Sequence, residues 1–316
     1  MFKSITKILC ILALGGSTSV IASPTNHHKS KISSKKSIHK KVVIKNKVKV
    51  FFNSKSTKSS KKLIAYNRPS NSFLSNIKYS VFNYENGTIL EESAPDTKWP
   101  IASLTKLMTA YVFVNNIPDI QNCSTIITDA DTDYIKRTHT RLAQNKEYEC
   151  QNLLEVMLIA SDNYAASALS RAIPGWTKQT FIKNMNMQAK KWWLFNTTFV
   201  DSSGLSPNNQ SSVDDYRKLT INVVKNNTIS KISGETYASS KNSRNQTIFY
   251  KNSNKLVREK GFDVNLSKTG YIHESGYNLV HLADCSTPIG VVEFGAKSSE
   301  QRANFVKQKL SKYGCS

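Results

Sequence analysis

The chain has 316 residues, 39% of them hydrophobic, and a formal net charge of +22, which is room for one or two domains with a sizeable core. The charge resembles a nucleic-acid signature until it is located: residues 1–68 hold 16 Lys/Arg and no acidic residue, and the first carboxylate is Glu85. The remainder carries 28 basic against 22 acidic residues, a mild excess that excludes nucleic acid as the expected partner.

Met1 to Ala22 has the pattern of a secretory signal. Lys3 and Lys7 form a charged start, Ile8 to Leu14 an apolar run, and Val20-Ile21-Ala22 a small-residue cleavage site. The apolar run is far short of the roughly 20 residues that span a bilayer, and Cys10 lies inside it instead of closing it as a lipid anchor would. An exported, periplasmic protein with no transmembrane helix after cleavage is expected. Residues 23–70 form a Lys/Ser/Asn-rich arm with Lys35-Lys36, Lys40-Lys41 and Lys61-Lys62. Such a composition buries too little apolar surface to fold alone. It reads either as a solvated tether or as a contact with an anionic envelope surface.

The folded domain is expected over 71–316. Ile77 to Tyr84 alternates as a strand, Asn86-Gly87 signals a hairpin turn, and Thr88 to Glu91 returns. After Pro100, which suits a helix entry, apolar residues recur at Leu104, Leu107, Met108, Tyr111 and Val112, the spacing of a helix ending near Asn116. Strand material follows at 124–128 and 138–149. Apolar helices are expected over 153–160 and 164–172 around the polar tripeptide Ser161-Asp162-Asn163, with further helices over 177–191 and from Ser212 to about Asn226. Late in the chain come a strand ending in Lys268-Thr269-Gly270, a hairpin of Tyr277–Asp284 with Ile289–Ala296, and a helix over 299–313. Strands at both ends of the domain with helices between them indicate an α+β or three-layer fold. No Gly-rich phosphate loop and no zinc-type Cys/His spacing occurs, so neither a metal nor a cofactor is expected.

Ser103 stands at the mouth of the first helix with Lys106 three residues on, sharing its face. A serine hydroxyl is a poor nucleophile until a neighbouring base takes its proton. A lysine serves as that base only where burial or a nearby cation favours the neutral amine, a shift of about 4 kcal/mol from its ordinary state. The helix N-terminus adds positive potential where an oxyanion would form. A second cation, Lys268, would help to keep the base neutral.

Ser103-x-x-Lys106, Ser161-Asp162-Asn163 and Lys268-Thr269-Gly270 occur in the order found in penicillin-binding proteins and class A β-lactamases. With Asp201-Ser202-Ser203-Gly204-Leu205-Ser206-Pro207 and the segments 250–257 and 266–271, they make the chain resemble low-molecular-mass penicillin-binding proteins of the D-alanyl-D-alanine carboxypeptidase family. The likeness covers about Ile77 to Ala296 and is greatest to the short endopeptidase members. It implies an α+β, β-lactamase/transpeptidase-like fold, an antiparallel sheet flanked by helices with an all-helical subdomain. It also implies a serine DD-peptidase acting on peptidoglycan stem peptides and cross-links, with β-lactams as covalent inhibitors. Position by position, Ser103 would be the nucleophile, Lys106 its base and Ser161 the proton relay to the leaving amine. Asn163, Lys268, Thr269 and Gly270 would hold the substrate, and the N–H groups of Ser103 and Tyr271 would form the oxyanion hole.

Three rival activities remain open at this level: a carboxypeptidase trimming stem pentapeptides, a β-lactamase, and a non-catalytic peptidoglycan-binding protein. Tyr164 to Gly234 contains no Glu, whereas a class A β-lactamase uses one to activate the deacylating water. Only 46 residues follow Gly270, which matches the short endopeptidase architecture and not the larger carboxypeptidases with a second domain.

Outside the signal, four cysteines remain, Cys123, Cys150, Cys285 and Cys315, an even count that permits two disulfides in an oxidising compartment. Antiparallel pairing of the segments that follow Cys123 and precede Cys150 would bring those two together. A last helix running back along the sheet would return Cys315 to Cys285 at the hairpin tip. Cys123–Cys150 and Cys285–Cys315 are therefore the expected bonds.

Overall fold

Lys78–Asn83 is β1 in the computed structural model, the first of the strands that carry the site, and its adjacent Val81 and Phe82 face opposite layers of apolar core. The structure describes residues 77–132, 140–241 and 244–315; the expected signal, the basic arm and the start of the domain at residue 71 lie outside them. Then follow β2 (Ile89–Ser93), β3 (Trp99–Pro100), a single 3₁₀ turn at Ala102–Leu104 and α1 (Thr105–Asn116). Next are β4 (Ser124–Ile126), α2 (Asp129–Thr132), β5 (Glu147–Glu149), α3 (Cys150–Ile159), α4 (Asn163–Leu169) and α5 (Lys178–Lys191). The chain continues through β6 (Gln210–Ser211), α6 (Val213–Val223), α7 (Asn227–Gly234), β7 (Tyr237–Lys241), β8 (Thr247–Lys251) and α8 (Lys255–Glu259). It closes with β9 (Asp263–Ile272), β10 (Gly276–Asp284), β11 (Ile289–Ala296) and α9 (Ser299–Lys312).

The main sheet has the order β2-β1-β11-β10-β9 and is antiparallel at each pairing. Its strands alternate between two apolar layers. Val81, Leu279, Val291 and Ile289 point into a small core under Phe305, Val306 and Leu310 of α9. Phe82, Val280, Leu282, Val292 and Phe294 point the other way, into the large core shared with α1, α3, α4, α5 and α6. Helix α3 is buried on nearly every side, from Cys150 through Ile159, as expected for a helix that is apolar all round. Around it α1, α4 and α7 pack, with α5 on the far side against α1, and together they make the helical part of an α+β fold. Strand β9 is left at the edge of the sheet, beside the end of α3.

Four local expectations need correction. Pro100 does not enter a helix: it pairs with Gln210 in the β3–β6 ladder, and the helix begins only after the 3₁₀ turn. Strand structure in 140–149 is confined to Glu147–Glu149, because Thr140 bonds Asp162 and Leu142 instead of a neighbouring strand. Helix α3 starts at Cys150, ahead of residue 153. Lys268-Thr269-Gly270 lies inside β9, which continues to Ile272 because β10 pairs with it as far as Gly276.

Cys123 is bonded to Cys150 and Cys285 to Cys315, the pairing expected from the sequence. The first bond ties the approach to β4 to the start of α3. The second ties the β10–β11 turn to the end of α9.

Candidate active site

Three separate elements converge on Lys106. Its Nζ lies 2.9 Å from Ser103 Oγ, 2.6 Å from Asn163 Oδ1 and 2.6 Å from the carbonyl of Ser203. Ser103 and Lys106 meet because a single turn separates them at the start of α1. Asn163 arrives as the first residue of α4, whose N-cap Asp162 accepts the Ala165 N–H at 3.1 Å. Ser203 comes from the loop between α5 and β6.

Asp201 builds that loop. Its carboxylate accepts the backbone N–H groups of Ser203 (2.7 Å), Gly204 (2.5 Å) and Ser206 (2.9 Å), and Asn209 Nδ2 at 2.7 Å. Gly204 has φ +84°, and a Cβ there would lie 1.9 Å from the carbonyl oxygen of Ala102. Only glycine lets the loop lie against the backbone of the Ser103 turn.

Lys106 is completely buried. Burial pulls its pKa from 10.5 down to about 7, against the opposing pull of the Asp201 and Asp162 carboxylates. Burial is thus the largest cause that favours the neutral amine, ahead of the second cation foreseen from the sequence. That cation is itself affected: burial and the nearby Lys106 hold Lys268 well below its ordinary pKa. In the neutral amine two N–H groups satisfy Asn163 and Ser203, which leaves the lone pair for the hydroxyl of Ser103.

Ser161 stands across the cleft with φ +62°, a strained conformation for a residue with a Cβ. Its Oγ accepts a hydrogen bond from Lys268 Nζ at 2.7 Å. Thr269 Oγ1 donates to Ser253 Oγ at 2.6 Å, and the Ser253 N–H donates to the carbonyl of Ile159, so the loop after β8 links β9 to the end of α3. A Cβ on Gly270 would lie 2.7 Å from the Ile101 carbonyl and 3.2 Å from the Ser103 nitrogen. The bare backbone of β9 therefore packs against the nucleophile's own backbone. The Tyr271 ring is half exposed and stacks on Tyr277 with centroids 4.3 Å apart.

The three sequence motifs are thus brought together: Lys106 bonds Ser103 and Asn163, Lys268 bonds Ser161, and Gly270 packs against the backbone of Ser103. Reading the sequence missed Asp201 as the organiser of a loop and the Ser203 carbonyl as a partner of the base. The Asp-x-x-Gly-Leu segment was noticed for its likeness, but a backbone carbonyl leaves no side-chain signature. Among the described residues, no group of His, Cys, Asp and Glu is placed to hold a metal ion.

Residues 66–297 match the family described as D-alanyl-D-alanine carboxypeptidase, peptidase S11. The chain belongs to the D-alanyl-D-alanine carboxypeptidase family. Its relatives within and around that family include the D-alanyl-D-alanine endopeptidase of Haemophilus influenzae, 45% identical over 242 residues that cover 75% of this chain and 81% of that one. The D-alanyl-D-alanine endopeptidase of Escherichia coli is 34% identical over 61% of this chain and 62% of its own length. Among solved structures, the DD-transpeptidase of Streptomyces K15 superposes with a TM-score of 0.69 at 25% identity, covering 76% of this chain and 96% of that one. The architecture of an antiparallel sheet packed on a helical half is thus the fold of this S11 family member and its DD-peptidase neighbours.

Proposed function

We propose that this chain is a serine DD-peptidase that hydrolyses D-alanyl bonds of peptidoglycan, acting as an endopeptidase on cross-links through an acyl-enzyme on Ser103. The observation that carries the reading is the 2.9 Å contact between Ser103 Oγ and a buried Lys106 whose other two partners are acceptors.

Lys106, as the neutral amine, takes the Ser103 proton as Oγ attacks the carbonyl carbon of the D-alanyl residue. The oxyanion that forms lies against the N–H groups of Ser103 and Tyr271, brought together by the close approach at Gly270; such donors are worth about 3–4 kcal/mol in the transition state. Ser161 passes a proton to the departing amine, with Lys268 bonded to its oxygen. Asn163 orients both the base and the substrate amide, and Lys268 and Thr269 face the substrate's carboxylate. Water then hydrolyses the ester and returns the free serine. Because β9 is the sheet's edge, an extended peptide can lie along it as an added strand.

The endopeptidase names of the Haemophilus influenzae and Escherichia coli relatives support cross-links over stem pentapeptides as substrate. β-Lactams acylate Ser103 and leave slowly, since residues 164–234 contain no Glu to activate the deacylating water. Residues 1–22 direct export to the periplasm, 23–70 are a basic arm that serves as a solvated tether or contacts an anionic envelope surface, and 71–316 form the peptidase domain. Among the described residues no helix is long and apolar enough to cross a membrane.

Digestion of purified cross-linked muropeptides tests the reading: the expected products are the separated monomers. Release of D-alanine from pentapeptides with cross-links left intact would move the assignment to carboxypeptidase. Labelling of Ser103→Ala by a fluorescent penicillin would remove the nucleophile.

A further inference from the structure

A groove of about 590 Å³ opens beside the cleft, lined by Thr140, Arg141, Ala160, Asp162, Phe249 and Lys251 together with Tyr250. Its inner wall is made by Ala160 and Asp162, the neighbours of Ser161. Its outer wall is the β8 strand.

The groove's charges are sorted. Asp162 is almost fully buried, and its oxygens are taken by Thr140 Oγ1 at 2.7 Å and the Ala165 N–H at 3.1 Å. Arg141 is held in place: its guanidinium sits 4.5 Å from the centroid of the Tyr250 ring, and one nitrogen donates to the Phe249 carbonyl at 3.0 Å. Neither Arg141 nor Lys251 has an ion-pair partner among the described residues. Both are exposed. The Phe249 side chain, 65% exposed, adds an apolar surface between them. Two accessible cations around an aromatic face, with the one carboxylate already satisfied, fit an aliphatic chain that ends in a carboxylate.

We infer that this groove is a subsite for a carboxylate-bearing side chain of the substrate's stem peptide, gripped by Arg141 and Lys251 while the scissile bond lies at Ser103. The inference rests on the peptidase reading above and extends it to what flanks the cleaved bond. Ala160 and Asp162 flank Ser161, whose Oγ is bonded to Lys268 of β9, so the groove adjoins the strand along which the peptide lies. Selection here acts on the extended peptide and not on the reacting centre. Arg141 and Lys251 are binding residues with no part in proton transfer.

The test compares wild type with Arg141→Gln/Lys251→Gln on cross-linked muropeptides that carry free side-chain carboxylates and on the same muropeptides amidated at those groups. Acylation by a fluorescent penicillin, which carries no stem-peptide side-chain carboxylate, reports on the catalytic centre. The expected result is a loss of about tenfold in kcat/KM on the free acid, about 1.4 kcal/mol. The loss falls in KM, the amidated substrate changes by less than about twofold, and penicillin acylation is preserved. An equal loss on both substrates, or none on either, overturns the subsite. Should the double variant acylate poorly with penicillin, Lys251→Glu on the exposed strand replaces it: it must penalise the free acid more than the amide, or the subsite falls. Failure of the wild type to cleave either muropeptide while it is acylated by penicillin would instead count against the endopeptidase reading.

Discussion

The hydroxyl of Tyr216, fully buried in α6, donates to the carbonyl of Leu104 at 2.7 Å. Leu104 follows the nucleophile directly, so this bond pins the end of the 3₁₀ turn on which Ser103 sits. Tyr216→Phe keeps the ring and its edge-to-face contact with Phe294 but leaves a buried carbonyl short of a partner, which costs about 1–2 kcal/mol. The expected outcome is a lower midpoint of thermal unfolding and a several-fold slower penicillin acylation. An unchanged acylation rate would show that the turn holds its geometry without the bond.

Acylation depends on pH through Lys106. Its pKa is about 7 in the folded protein, and the neutral form accepts the serine proton. Penicillin acylation therefore rises with pH through about 7 and falls about tenfold per unit below it. The unfolded chain, with lysines near 10.4, binds more protons than the folded one between about pH 7 and about pH 10. The contribution of this group to stability accordingly grows as pH rises across that window. Second-order acylation constants over the range give the limb directly, and a flat profile would exclude Lys106 as the base.

Gly204→Ala is expected to disable the protein. The new Cβ would stand 1.9 Å from the Ala102 carbonyl and 2.9 Å from the Ser103 nitrogen. The loop must move away and take the Ser203 carbonyl off Lys106. A loss of at least about 3 kcal/mol and of penicillin labelling should follow. Gly175→Ala is the control: φ is +76° there, but nothing lies within 4 Å, so only backbone strain of about 1–2 kcal/mol applies. Similar losses in the two variants would mean that the close approach at Gly204 is unimportant.

The two disulfides differ in what they protect. Their sequence separations of 27 and 30 residues correspond to about 3.6 kcal/mol each by loop-closure entropy. Cys285→Ser/Cys315→Ser should lower the unfolding midpoint by about 7–14 °C and leave acylation at room temperature intact, because that bond braces α9 on the far face of the sheet. Cys123→Ser/Cys150→Ser removes the brace at the start of α3, whose other end leads into Ser161, and is expected to slow acylation as well. Equal acylation by both variants would separate α3's anchorage from the geometry at Ser161.

Much of this was written in short-range pattern. Apolar spacing after Ser103 is a property of a single helix and puts Lys106 on the same face whatever surrounds it. The Asn86-Gly87 turn and the short connection between Asp284 and Ile289 mark hairpins, and the cysteines fall where β4 meets β5 and where the last helix returns to the β10–β11 turn. By contrast, α7, β7, β8 and α8 lie in a Lys/Asn/Ser-rich stretch without clear periodicity, and they form because the edge of the sheet and the end of α3 supply the surface they pack on.

What only the tertiary structure decided is the chemistry's poise. The sequence shows a lysine near a serine but not the complete burial that draws its pKa to about 7. Nor does it show the Ser203 carbonyl, 97 residues away, that occupies one of the amine's hydrogens. Arg141 reaches Phe249 across 108 residues to shape a groove with no motif of its own. Periodicity and turn chemistry act over a few residues and are legible in one dimension. Desolvation, and the convergence of backbone groups from distant loops, exist only once the chain has closed around them.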